Sequence, residues 1–355
     1  MAKQKIIVVG GGIMGCMTAM ELARRGHRVT VVERNQIAAQ TSGESSWAGA
    51  GIVFPLLPWF YKDEVNQLAL AGASLYPEIC RQLYRETGID PECIKSGMLI
   101  QPPFDRAMAL TWCAEHHVSI EQKADGLLLP EVAQVRNPRL LQALKQWLIQ
   151  HDVTLIEHTQ LAPINEIQLE KTGQINAWRA NTGELLEADQ FVVTSGAWSF
   201  ELLKETSLKL NIKPMRGQIL LFQLPAQTLQ NIIYRDGFYL VPRSDGHLLA
   251  GSTLEDVGFD TGTTEAMKQE MQAKAEAIMP SLKHAPIIKH WSGLRPGTPD
   301  NVPTIAAHPT IKNLYLNTGH FRYGVTMAPA SAQLVAALMM GETPQMAAAA
   351  YACGA

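Results

Sequence analysis

Lys5-Ile-Ile-Val-Val-Gly-Gly-Gly-Ile-Met-Gly15 decides the fold: a short β-branched run passes directly into three glycines spaced Gly10-x-Gly12-x-x-Gly15 and then into an amphipathic helix. Gly10 suits the tight turn leaving a strand, Gly12 lets backbone approach a pyrophosphate, and Gly15 lets the helix pack closely on the sheet. Phosphates would sit on free amides at the positive end of that helix. Ile13, Cys16, Met17, Met20 and Ala23 share one helical stripe, and Gly26 stops the helix. A second strand, Arg28 to Glu33, follows. Glu33 stands where a carboxylate accepts both ribose hydroxyls of an adenosine and repels a 2'-phosphate, which favours FAD or NAD over NADP.

Bulk composition narrows the class. With 355 residues, 46% of them hydrophobic, the chain exceeds what a single core organises and predicts two lobes. Net charge is -3 with lysines and arginines dispersed, so no nucleic-acid stripe and no polybasic membrane patch is expected. Five scattered cysteines without CxxC or Cys/His ligand spacing point to a reducing, cytoplasmic setting and to no metal site. The adjacent His116 and His117 point apart on a helix. Lys3 and Lys5 before an apolar run imitate an export signal, but three glycines and then Glu21, Arg24 and Arg25 interrupt it. No window approaches the ~18 apolar residues of a membrane span.

Further along, Ala38 to Gly51 is a loop rich in small residues, with Thr41, Ser42, Ser45 and Ser46 available to phosphate or ribityl oxygens. Helices are predicted over 63–87 and Asn137 to Ile149, the first facing inward through Val65, Leu68, Ala69, Gly72, Leu75, Ile79 and Leu83, the second through Leu140, Leu141, Leu144 and Leu148. Gln190 to Thr194 reads as a buried parallel strand that presents Ser195-Gly-Ala-Trp198 to a ligand. From Lys213 the pattern changes to antiparallel strands, Arg216 to Leu224, Phe238 to Arg243 and His247 to Thr253, with a turn at Ser244-Asp-Gly246. The end of the chain returns to the first lobe through a strand at Leu314 to Asn317, the turn Thr318 to Gly324, and a helix near Pro329 to Met340 capped by Gly341. The expected architecture is thus α/β plus antiparallel β: a discontinuous Rossmann-like nucleotide-binding domain (1–90, 136–212, 288–355) and a sheet-based substrate domain (91–135, 213–287).

Five motifs occur in order along nearly the whole chain: GGGIMG with Glu33, SWAGAGI (Ser46 to Ile52), TSGAWS (Thr194 to Ser199), GLRPGTPD (Gly293 to Asp300) and GHFRYG (Gly319 to Gly324). Together they resemble the D-amino acid oxidase superfamily, and within it the glycine oxidases of the thiamine-biosynthesis type. The resemblance implies a two-lobed flavoprotein that oxidises glycine, sarcosine or small D-amino acids by hydride transfer to FAD, giving an imine, then glyoxylate and ammonia, and hydrogen peroxide. It implies FAD contacts from Gly10, Gly12, Ile13, Met14 and Gly15, from Glu33 and Arg34, and from Thr41, Ser42, Ser46, Trp47, Ala48, Gly49 and Gly51. Ile164 and the Ser195, Gly196, Trp198 turn follow, and then Gly293, Arg295, His320, Arg322, Tyr323, Gly324, Val325 and Thr326.

Carried over by motif, Arg295 resembles the arginine that clamps the substrate carboxylate, Tyr239 the tyrosine that bonds the same group, and Arg322 a second arginine beside the flavin. Pro296 favours an extended backbone at Arg295, and a guanidinium fork suits a carboxylate. The superfamily's sarcosine oxidases tether flavin to a cysteine in the C-terminal third. No cysteine lies between Cys113 and Cys353 here, so non-covalent FAD is expected. Ile52, Leu57 and Leu254 are expected to line the substrate pocket. Oxygen, the machinery of thiazole synthesis and further copies of the chain are the expected partners. A D-amino acid dehydrogenase that reduces a quinone, a tRNA-base-modifying flavin oxidase and a simple electron carrier are the rival functions.

Overall fold

The structure, a computed structural model, describes residues 3–41, 43–165 and 173–353. Strand Lys5–Val9 lies in a six-stranded sheet ordered Thr304–Ala307, Leu314–Thr318, Gln190–Val193, Lys5–Val9, Arg28–Val32 and Thr154–Ile156, parallel except at the Thr304–Ala307 edge. Ile6, Val8, Val31 and Val192 are fully buried, as expected of a parallel sheet covered on both faces. The carboxyl ends of Lys5–Val9 and Gln190–Val193 lie side by side, so both following turns open at one place. In open parallel sheets, ligands bind in the crevice outside such adjacent carboxyl ends.

Helix Ile13–Arg24 is buried on more than the expected stripe: Leu22 is fully buried, whereas Ala23 is half-buried. The helix is enclosed by the sheet and by helices Gly324–Met339 and Asn137–Gln150. Each fully buried aliphatic side chain such as Leu22 contributes about 1.5–3 kcal/mol relative to exposure. On helix Asp63–Thr87, Leu75 is only half-buried while Tyr76 is fully buried. The reason lies across the interface. Pro329 sits inside helix Gly324–Met339 and has no N–H for the carbonyl of Val325, and the Tyr76 hydroxyl donates to that carbonyl instead. The last helix therefore starts at Gly324, directly after the GHFRYG turn, and not near Pro329.

The second lobe is an eight-stranded sheet ordered Ile287–Gly297, Lys213–Gln223, His247–Gly251, Phe238–Pro242, Ile232–Arg235, Met98–Gln101, Gly126–Leu129 and Glu121–Lys123. One point differs from the sequence division. Residues 288–297 pair with Lys213–Gln223, from Lys213 opposite Gly297 to Leu220 opposite His290, so that the GLRPG segment is an edge strand of this sheet. Local pattern alone assigns its Gly-Leu-Arg core to the nucleotide lobe, because the partner strand lies more than seventy residues away in sequence.

Candidate active site

A cleft of ≈ 380 Å³ opens where the two sheets meet, within the range of small-molecule sites. Its wall brings together Gly10, Gly12, Ile13, Met14, Glu33, Arg34, Ser46, Gly49, Ser195, Gly196, Trp198, Arg295, His320, Arg322, Gly324 and Val325, which come from all five motifs.

The glycine turn forms a cradle that side chains would fill. Gly10 has φ +113°, and a Cβ there would lie 2.9 Å from the Thr194 carbonyl carbon. At Gly15 a Cβ would lie 1.8 Å from the Gly10 carbonyl oxygen, so this glycine serves packing and does not face the cleft. Gly12 stands at the N-terminus of the helix and has no side chain to cap it; Gly12, Ile13 and Met14 bring the positive helix end to the cleft wall. Thr194 Oγ1 fastens the turn by donating to the carbonyls of Val9 and Gly10, both at 3.0 Å. Glu33 accepts the Gly11 amide at 2.7 Å and the Asn35 amide at 2.9 Å. Burial raises its carboxyl above the ordinary value despite those two bonds. Arg34 lies over the Trp198 ring at 3.6 Å, and Trp198 stacks on Phe259 from the second lobe at 5.5 Å.

Several hydroxyls expected to contact the cofactor form hydrogen bonds within the protein. Ser46 Oγ accepts the Ile13 amide at 2.9 Å, Ser195 Oγ donates to the Val9 carbonyl at 2.8 Å, and Thr326 Oγ1 donates to the Ile52 carbonyl at 3.0 Å. Thr41 is exposed and its carbonyl accepts Trp47 Nε1 at 2.6 Å; Ser42 lies outside the described residues. Trp47, Ala48 and Gly293 form a docking point between the lobes: Trp47 stacks on Trp291 at 5.4 Å, Trp291 Nε1 donates to the Ala48 carbonyl at 3.1 Å, and a Cβ on Gly293 would lie 2.8 Å from that of Ala48. Gly51 packs on the Val135 carbonyl, Ile164 is core, and Tyr323 donates to the Leu56 carbonyl at 3.1 Å. Trp47, Ala48, Gly51, Ile164, Gly293, Tyr323 and Thr326 are not on the cleft wall, whereas Ser46 and Ser195 are.

Arg295 projects from strand Ile287–Gly297, half-buried, into the cleft. Nη1 donates to the Thr253 carbonyl at 3.1 Å and Nη2 to Ser252 Oγ at 2.7 Å, and a further hydrogen bond joins it to Tyr239, which is 8% exposed. Every acceptor is neutral. Neither Arg295 nor Arg322 forms an ion pair among the described residues. Burial, and to a lesser degree the charge of Arg322, pulls the Arg295 guanidinium below its ordinary value. Arg322 is exposed, 5.4 Å from the Phe321 ring centroid. His320 is buried, its Nε2 3.0 Å from Ser331 Oγ, and burial holds it neutral down to about 3.

The three expected pocket residues do not meet on this wall. Leu254 is 44% exposed, because its strand ends at Gly251 and the chain turns outward; Ile52 and Leu57 pack partly into the main core. Two residues escaped the sequence. Asn137 Nδ2 donates to the carbonyls of Ser46 and Gly49, both at 2.9 Å, and so pins the SWAG loop. Gly217 lies under the Arg295 guanidinium, where a Cβ would be 2.0 Å from Nη1. Its only local signal was a glycine inside a strand.

The model of the family described as "FAD dependent oxidoreductase" matches residues 5–338. A glycine oxidase of Pseudomonas putida is 37% identical over 99% of this chain and 98% of its own length. The bifunctional protein ThiO/ThiG of Trichormus variabilis is 31% identical over 93% of this chain and 52% of its own length. Among solved structures, glycine oxidase from Geobacillus kaustophilus superposes with a TM-score of 0.90 at 25% identity, covering 99% of both chains. The glycine cradle, the helix end and Glu33 fit the dinucleotide such enzymes carry, and the chain belongs to the family of FAD dependent oxidoreductases.

Proposed function

We propose that the chain oxidises small amino acids, with glycine, sarcosine and small D-amino acids as substrates and molecular oxygen as acceptor, in the service of thiazole assembly for thiamine. For glycine the balance is glycine, oxygen and water to glyoxylate, ammonia and hydrogen peroxide. The observation that carries this reading is Arg295, a cation on the cleft wall whose acceptors are all neutral. A partly buried charge without a counter-ion is unfavourable, and a ligand carboxylate supplies the missing partner in a two-pronged, charge-assisted geometry. Tyr239 adds its hydroxyl to the same carboxylate, and Arg322 strengthens the positive field that draws anions into the cleft.

The glycine turn, Glu33 and the Ser195–Trp198 turn would hold FAD without a covalent bond, and the bound group would supply two-electron acceptor chemistry for amine oxidation. None of the five cysteines lies on the cleft wall, which supports a non-covalent cofactor. The protein's own contribution is orientation: Arg295 and Tyr239 fix one end of the amino acid so that its Cα–H has one direction. His320 is held neutral and is engaged with Ser331, so it takes no proton from the substrate near neutral pH. Relatives named glycine oxidase and ThiO/ThiG support the substrate class and the pathway.

The test is peroxide release by the purified holoprotein in air with glycine, sarcosine, D-alanine and D-proline, each beside an anaerobic trace of flavin bleaching. Peroxide with glycine or sarcosine is expected. Bleaching without peroxide would overturn oxygen as acceptor, and no bleaching with any of the four would overturn the substrate class.

A further inference from the structure

Two of the hydrogen bonds that fix Arg295 end on Ser252 and Thr253, in a segment that has left its strand at Gly251 and keeps one backbone bond to the neighbouring strand, from the Thr253 amide to the Gln218 carbonyl at 3.3 Å. One side chain gathers what holds that segment. Glu255 Oε1 accepts Thr253 Oγ1 at 2.6 Å and Gln218 Nε2 at 2.9 Å, and its Oε2 accepts Arg216 Nη2 at 2.7 Å. Thr253 Oγ1 in turn accepts the Gln218 amide at 2.8 Å, and the Arg216 and Glu255 backbones exchange two bonds of 2.9 Å. Arg216 is buried, and its other arm reaches Asp260 Oδ2 at 2.6 Å. Burial disfavours the Glu255 carboxylate, yet the bonds from Arg216, Thr253 and Gln218 outweigh it and keep the carboxyl below its ordinary value.

We propose that Glu255 is the positioning residue of the carboxylate clamp, fixing Ser252 and Thr253 so that the Arg295 guanidinium stands ready for the substrate. The proposal rests on the amino acid oxidase reading above. All three side-chain partners of Glu255 are donors, so Glu255→Gln keeps the volume but turns an NH2 toward a donor whichever way the amide lies. Its charge also compensates Arg216 and not Arg295, which has no ion pair among the described residues. A purely structural role for Glu255 would lower stability without acting through Arg295.

The experiment is a double-mutant cycle on the FAD-loaded full chain with glycine or sarcosine, combining Glu255→Gln with Arg295→Ala and reading KM, kcat, melting temperature and the dissociation constant of acetate from its perturbation of the flavin spectrum. Expected for Glu255→Gln alone is a rise of about tenfold or more in KM and in the acetate constant, with kcat changed far less, since a bond to a charged group is being misaligned. In the Arg295→Ala background the same substitution should add almost nothing, because the two residues act as one unit. Equal effects in both backgrounds, or no change in KM and acetate binding, would overturn the positioning role. If Arg295→Ala itself left KM unchanged, the substrate reading would fail first. Should Glu255→Gln not fold, Thr253→Val removes the hydroxyl bridge while sparing the Arg216 pair; it is expected to raise KM in the same Arg295-dependent way, and an unaltered KM would refute the proposal.

Discussion

Gly217→Ala tests the geometry of the clamp with a single methyl group. Gly217 and Gly293 face each other across the sheet, and Arg295 pairs with Met215, so Gly217 is the diagonal neighbour on the Arg295 face. The guanidinium lies across the space a side chain would take: an added Cβ would be 2.0 Å from Nη1 and 2.4 Å from both Cζ and Nη2. Ordinary contact is about 3.5 Å, so the guanidinium must move by about 1.5 Å. Gly217 is not in the left-handed region, and alanine fits its strand backbone. The obstructing atoms belong to the free end of a long side chain, which keeps the folding cost near the low end of overpacking, about 1 kcal/mol. The site has no such latitude. A shift of that size breaks the bonds to Thr253 and Ser252 and misplaces a group that orients substrate, for which ~10²-fold losses are usual. Steady-state kinetics with glycine or sarcosine should show kcat/KM falling by about 10²-fold, with the flavin spectrum retained and the melting temperature lowered by only a few degrees. A value within about threefold of wild type would refute the placement of Arg295 over Gly217.

Three further outcomes follow from other parts of the site. Gly15→Ala sets a methyl 1.8 Å from the Gly10 carbonyl oxygen, backbone that cannot yield, and the purified protein should be destabilised and free of FAD by absorbance. Glu33→Ala releases the amides of Gly11 and Asn35 and should weaken FAD binding by about tenfold or more, read by titrating apoprotein with FAD. His320 gives a pH signature: burial lowers it to about 3 in the fold from an ordinary value of 6.5, so the unfolded chain binds the proton first. Its contribution is present above about pH 6.5 and is lost as pH falls toward 3, with the folded-to-unfolded ratio dropping up to about tenfold per pH unit. Denaturant titrations of His320→Gln across that window should show a shallower decline than wild type, and parallel curves would exclude the histidine as the cause.

Much of this architecture was legible because it is local. The strand, glycine turn, helix and Glu33 occupy one contiguous stretch, and their chemistry follows from spacing alone. The strand at Gln190–Val193 and its turn were legible for the same reason, a β-branched run ending in small residues. Illegible parts depend on what lies opposite. Nothing within GLRPG says that its strand pairs with Lys213–Gln223, and nothing near Pro329 says that Tyr76 takes the carbonyl left free at Val325. Serine and threonine hydroxyls suggested phosphate, but the glycine turn needs internal bonds first, and Ser46, Ser195 and Thr194 provide them. The family resemblance places Leu254 at the pocket, yet its strand ends three residues earlier and Leu254 is 44% exposed.

The most direct test of the account is the KM of Arg295→Ala for glycine or sarcosine, with FAD content measured on the same sample. An unpaired guanidinium whose one charged partner is the substrate carboxylate predicts a rise far greater than tenfold, a loss of ~2 kcal/mol or more, with FAD still bound. An unchanged KM in the fully loaded variant would contradict it.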